Sequence, residues 1–154
     1  MGRQICTANR PGSREALPWP DLVLTPRAMN DIQKVPVLVT GGAGYIGSHA
    51  VLALRDAGWP VAVIDNLSTG FAFAVPDDVP LYEGDIADAS LLARIFAEQG
   101  IAAIMHFAGS VVVPESVENP LKYYDNNTVK SRALIEAAVA GGIRHFIFSS
   151  TAAT

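Results

Sequence analysis

Gly41-Gly42-Ala43-Gly44-Tyr45-Ile46-Gly47 follows an apolar run, Val35–Thr40, and precedes a helix-like stretch from Ser48 to Ala57. Residues of these types in this order can bind phosphate with backbone alone. Glycines let the main chain approach a pyrophosphate, and a helix N-terminus aims free N–H groups and a partial positive charge at it. A second apolar run, Val61–Ile64, ends at Asp65, where a carboxylate can accept hydrogen bonds from the hydroxyls of an adenosine ribose. A glycine triplet alone is weak. Strand, glycines, helix, strand and acid in register point to a dinucleotide.

The elements that must position these residues are legible in the rest of the chain. A polar turn, Asn66-Leu67-Ser68-Thr69-Gly70, follows Asp65, and a Pro/Asp-rich connection runs around Pro76-Asp77-Asp78. Leu81–Glu83 is a short strand ending at Gly84-Asp85-Ile86. Asp88-Ala89-Ser90 offers an N-cap for a helix carrying Leu91, Leu92, Ile95 and Phe96, which Gly100 closes. Ala102–Phe107 reads as a buried strand ending at Ala108-Gly109. Leu121–Ala140 has helical spacing at Tyr124, Leu134, Ile135 and Ala138, and Gly141-Gly142 stops it. His145–Phe148 is a fifth strand, ending at Ser149-Ser150-Thr151.

Short apolar strands alternating with helices predict an α/β fold, a doubly wound parallel sheet in the order 3-2-1-4-5. Ligands then bind where the first and fourth strands part, outside their carboxyl ends. The glycine turn, Asp65, Asp85, Gly109 and Thr151 all follow strand ends. There is no internal repeat and no low-complexity tract.

The chain has 154 residues, half of them apolar and 17% charged, which suits one domain and excludes a disordered chain. A net charge of -4 argues against a nucleic-acid surface. No apolar run reaches the roughly 20 residues that span a bilayer. Residues 1–30 lack the apolar region of a secretory signal. Cys6 is the only cysteine, so no disulfide or Cys-based metal site forms within these residues, and Cys6 is expected to be inert. A soluble, cytoplasmic protein without a metal is the expectation. Residues 1–34 carry Pro11, Pro18, Pro20 and Pro26 without periodicity, and are read as a disordered extension before a domain over residues 35–154. Their arginines leave a targeting peptide open, although the prolines oppose an amphipathic helix. Met29 would make a natural start site.

The segments VLVTGGAGYIGS (Val37–Ser48), DNLSTG (Asp65–Gly70), EGDI (Glu83–Ile86), HFAGSVVVPES (His106–Ser116), PLKYYDNN (Pro120–Asn127) and FIFSSTA (Phe146–Ala152) resemble the extended short-chain dehydrogenase/reductase family. More narrowly, their combination resembles its branch of UDP-glucose 4-epimerases. The resemblance implies a Rossmann-like NAD-binding domain and the interconversion of UDP-glucose and UDP-galactose by transient oxidation at C4. It implies a UDP-hexose substrate, a place in galactose metabolism, and a homodimer in many members. It implies that Gly41, Gly44 and Gly47 shape the turn and that Tyr45 and Ile46 meet the pyrophosphate through their backbone. Asp65, Asn66, Leu67, Ser68, Thr69 and Gly70 would surround the adenosine ribose, with Asp65 repelling a 2′-phosphate. Asp85 and Ile86 would hold the adenine. Phe107, Ala108, Gly109, Ser110 and Val111 would run along the nicotinamide half, although some members place a lysine where Val111 stands. Asn126 would lie near the pyrophosphate and the nicotinamide ribose. Thr151 matches the catalytic hydroxyl that bonds the sugar's 4-oxygen.

The family's base is the tyrosine of a Tyr-x-x-x-Lys motif beyond the position of Thr151. These residues contain none: Tyr45 is followed at that spacing by His49, Tyr82 by Ile86, Tyr123 by Asn127 and Tyr124 by Thr128. Thr154 also departs from the family's Val-Tyr-Gly continuation. The chain is therefore expected to be the first half of such an enzyme and to be inactive alone. The alternatives are a non-catalytic NAD-binding fragment, or a dehydratase or decarboxylase acting on another sugar nucleotide.

Several residues also have plain structural readings. Asp85 could be a turn or cap residue. His106 reads as a packing or hydrogen-bonded histidine rather than a base. Glu115 and Glu118 read as solvated charges, and Tyr123-Tyr124 as helix packing.

Overall fold

A computed structural model of the chain describes residues 33–150. Thr151 and residues 1–32 of the expected extension lie outside the described residues. The sheet has five parallel strands in the order β3-β2-β1-β4-β5. These are β1 (Val37–Thr40), β2 (Val61–Asp65), β3 (Leu81–Glu83), β4 (Ala103–His106) and β5 (His145–Phe148). The expected order is the one observed.

In β1, β2 and β4 the side chains alternate between two buried faces, as in a parallel sheet covered on both sides, whereas most of β5 is exposed. Leu38, Ile64 and Ile104 point to one face and pack with Leu92, Ile95, Leu134 and Ala138. They are covered by α2 (Ala89–Gln99) and by the helix here called α5 (Lys130–Ala140). Val37, Val39, Val63 and Ala103 point to the other face, where Val51 of α1 (Tyr45–Asp56) meets them. Leu134 is fully buried. Leu134→Ala is expected to lower the unfolding free energy by about 2–5 kcal/mol, read as a shifted urea midpoint at unchanged slope.

The caps explain where α2 begins and ends. Asp88 Oδ1 accepts the N–H groups of Ser90 and Leu91 at 3.0 Å each. Gly100 adopts the left-handed conformation, φ 61°, that stops the helix.

Three elements depart from the sequence expectation. Helix α1 starts at Tyr45 rather than Ser48, so the last three residues of the glycine motif lie in its first turn. A short helix, α3 (Val113–Glu118), lies where no element was expected, with Pro114 in its first turn. The stretch expected as one helix from Leu121 to Ala140 is compound: α4 (Pro120–Tyr123), a π-helical turn over Tyr124–Val129, then α5. Asn119 separates α3 from α4 because it precedes Pro120, which disfavours helical backbone at that position.

Candidate functional site

The strands end in step. Thr40 pairs with Ile64 on one side and His106 on the other, and His106 pairs with Phe148. The ladder runs one residue into the loops: Gly41 N–H donates to the Ile64 carbonyl at 2.9 Å and Phe107 N–H to the Thr40 carbonyl at 3.0 Å. The loops carrying the candidate residues therefore leave the sheet side by side, around the end of β1.

The tight turn after β1 is held by contacts that only glycine permits. Gly41 has φ +70°, and a Cβ there would stand 2.6 Å from the Ala108 nitrogen. At Gly47 a Cβ would stand 2.1 Å from the Gly41 carbonyl oxygen. Gly44 is the N-cap of α1 and offers no side-chain cap; Ser48 N–H makes the first bond, to the Gly44 carbonyl at 2.9 Å. The N–H groups of Tyr45, Ile46 and Gly47 are thus the unpaired donors of a helix start.

Asp65 does a structural task that its position alone does not reveal. It is buried, with Oδ2 accepting the Ala43 N–H at 2.9 Å and Oδ1 the Leu67 N–H at 2.8 Å. The carboxylate ties the glycine turn to the loop after β2 and keeps a lone pair on each oxygen. Leu67 has φ 55°, a strained value for a side-chain-bearing residue. Phe71 N–H fastens the far end of that loop to the Ala43 carbonyl at 3.0 Å.

Beyond β4, the π-helical turn presents two asparagines to one loop. Asn126 Nδ2 donates to Ser110 Oγ at 2.9 Å. Asn127 accepts the Ser110 N–H at 2.7 Å and donates to the Ser110 carbonyl at 2.8 Å, fixing the Phe107–Val111 loop as a paired strand would. Such turns recur at functional sites. Asn127 was not among the candidates; its signal was an adjacent asparagine inside a helix, where the residue is unfavourable.

Tyr123 is more than packing. Its hydroxyl donates to the Val112 carbonyl at 2.7 Å and accepts the Val112 N–H at 3.1 Å. Glu115 is paired rather than merely solvated: Lys122 bonds it, with Tyr123 Oη 2.8 Å away, and together they hold its carboxyl below the usual range.

His106 is buried under the sheet end. Its Nδ1 lies 2.6 Å from Thr40 Oγ1 and its Nε2 2.9 Å from Ser131 Oγ. The two hydroxyls can answer either neutral tautomer. Phe148 stacks on the ring and Phe146 lies against it, and burial pushes the pKa down to about 4. The unfolded chain titrates near the ordinary value of about 6.5, so it binds the extra proton between the two values and the folded chain does not. Stability is fully present above about pH 6.5 and falls by about 3 kcal/mol as pH drops toward 4. His106→Gln should flatten that part of a Tm–pH curve; an unchanged slope would contradict the assignment.

Asp85, in the loop after β3, bonds Lys130 Nζ at 2.6 Å and the Ala87 N–H at 2.9 Å. Burial raises its pKa, but Lys130 and the Ala87 amide outweigh this and the net shift is downward. Nothing in the sequence links Lys130 to Asp85. The clefts lined by Asp77 and Pro80, and by Arg55 and Trp59, gather none of the candidate residues.

A tight turn, an uncapped helix start and a buried acid behind them lie together at the switch point of the sheet, with backbone donors of the kind that suit an anion. Residues 37–154 match the model of the NAD dependent epimerase/dehydratase family. The chain belongs to that family.

Among its relatives, the chain is similar to the UDP-glucose 4-epimerase of Azospirillum brasilense, at 58% identity over 117 residues, 76% of this chain and 34% of that protein. It is 50% identical to the UDP-glucose 4-epimerase of Lacticaseibacillus casei over 118 residues, 77% of this chain and 36% of the other. The solved UDP-glucose 4-epimerase from Brucella ovis, in complex with NAD, superposes with a TM-score of 0.73 at 42% identity, covering 77% of this chain and 36% of that one. The chain spans about a third of the length of the curated relatives it matches. Among the described residues, no helix is long and apolar enough to cross a membrane.

Proposed function

We propose that this family member holds NAD on the Gly41–Gly47 turn and forms part of an enzyme interconverting UDP-glucose and UDP-galactose. The observation that carries the reading is the uncapped start of α1, three backbone donors at the end of β1, with Asp65 wired to the same turn. A dinucleotide fits these residues: with no Cβ at Gly41 or Gly47, where one would strike backbone, the turn packs tightly against the helix start, and the free donors there suit a pyrophosphate.

Tyr45, Ile46 and Gly47 would bind it through backbone N–H groups. Asp65 to Gly70 would surround the adenosine ribose, and the Asp65 carboxylate would repel the 2′-phosphate of NADP. Asp85 and Ile86 would hold the adenine. Phe107 to Val111, braced by Asn126 and Asn127, would line the nicotinamide half. When bound, NAD supplies the hydride acceptor and donor for C4 of the hexose. Thr151 would bond the sugar's 4-oxygen and orient its hydroxyl for proton removal. The proton acceptor itself, a Tyr-x-x-x-Lys tyrosine, is not among these 154 residues.

Conversion of UDP-galactose, dTDP-glucose and UDP-glucuronate, assayed with the gene product at the length of its relatives, tests the reading. UDP-galactose should be the one epimerised. Dehydration of dTDP-glucose or decarboxylation of UDP-glucuronate in its place would assign another reaction to the same fold. The 154-residue chain alone should turn over none of the three.

A further inference from the structure

Four side chains within six residues fasten the start of α5 to the rest of the candidate site. Asn126 and Asn127 hold Ser110, Ser131 meets His106, and Lys130 reaches across to Asp85. The first three brace the end of β4 and its loop. Lys130 alone engages the loop after β3, which the family reading places at the other end of the dinucleotide.

The Lys130–Asp85 pair differs from the remaining ion pairs among the described residues. The Lys130 side chain is 23% exposed, whereas the cations of the others are 43% exposed or more. Exposed pairs hold their partners weakly. A charge-assisted hydrogen bond from a partly covered ammonium is shorter and stronger than a neutral one. With Oδ2 on Lys130 and Oδ1 on the Ala87 N–H, the plane of the Asp85 carboxylate is set from both sides. Each oxygen keeps a second lone pair for a ligand.

We propose that Lys130 is a positioning residue for base recognition: it orients the Asp85 carboxylate to accept a hydrogen bond from the exocyclic amine of the dinucleotide's adenine. The inference rests on the reading of Asp85 as the adenine contact given above. It assigns to Lys130 a discriminating role between an amine and a carbonyl at that position of the base.

The test titrates the full chain with NAD and with nicotinamide hypoxanthine dinucleotide, whose base carries a carbonyl oxygen in place of the amine. Facing Asp85, that oxygen is an acceptor against an acceptor. The unsubstituted chain should favour NAD by about tenfold, the size of one charged hydrogen bond after partial solvation. Asp85→Ala should bring the ratio close to one. Lys130→Met should lower it to about threefold or less, and Lys130→Arg should retain it.

The ratio is measured on the same folded molecules, so a general loss of stability moves both ligands alike. A preserved ratio in Lys130→Met, with a collapsed ratio in Asp85→Ala, would overturn the role of Lys130 and leave the Asp85 reading standing. A preserved ratio in Asp85→Ala would overturn the Asp85 reading and this inference with it. Failure of the unsubstituted chain to bind either dinucleotide would overturn the site assignment itself.

Discussion

Gly47→Ala is expected to weaken NAD binding by about 100-fold or more, equivalent to about 2.7 kcal/mol. The added Cβ would stand 2.1 Å from the Gly41 carbonyl oxygen, 2.8 Å from its carbon and 2.9 Å from Gly42 Cα. All three are backbone atoms of the turn that faces the helix start, so no flexible side chain can yield. Either the first turn of α1 moves away from β1, carrying the Tyr45, Ile46 and Gly47 donors with it, or the turn opens. Both break the arrangement of donors proposed to hold the pyrophosphate. Isothermal titration with NAD, beside circular dichroism to follow the fold, measures it. An affinity within about threefold of the unsubstituted chain would show that the turn does not carry the binding energy.

Asp65→Ala should act on both stability and binding. Two backbone N–H groups lose their acceptor, that of Ala43 in a buried setting and that of Leu67 in a half-buried one. Leaving buried donors unsatisfied costs about 1–3 kcal/mol each, so a loss of about 2–5 kcal/mol is expected in urea unfolding. Leu67 would then be released from its left-handed conformation, and the loop to Gly70 would no longer be pinned to the glycine turn. Asp65→Asn separates the two effects. It keeps one carbonyl acceptor, sets an amide against one of the two N–H groups, and removes the negative charge. Stability should fall by roughly half as much as in the alanine variant, and any preference for NAD over NADP should shrink because the repulsion of a 2′-phosphate is gone. A fully stable Asp65→Ala chain would contradict the structural role.

The sequence carried the fold far because its signals were local. Alternating apolar runs gave the strands, Asp88 and Gly100 marked both ends of α2, and a strand–glycine–helix–strand order ending in Asp65 marked the candidate site. The order of the sheet followed from topology rules that apply to alternating strands and helices. What remained hidden is non-local or depends on geometry finer than periodicity. Lys130 and Asp85 are 45 residues apart and share no pattern. Asp65 was legible as an acid at a strand end, but its grip on the Ala43 N–H appears only once the turn is built. The π-helical turn changes the facing of Asn126 and Asn127 by a fraction of a turn, which a 3.6-residue period cannot register. Helix α3 is six residues long; its signals, Pro114 and Glu115 in a first turn, are weak over so short a span.

The uncapped helix start and Asp65 together are the NAD site proposed for this chain. Titrating the full chain with NAD and with NADP, calorimetrically and at one ionic strength, tests it most directly. Saturable one-to-one binding of NAD is expected, with binding of NADP weaker by about tenfold or more, because a 2′-phosphate would meet the Asp65 carboxylate. A folded chain that binds neither, or that binds both equally, would contradict it.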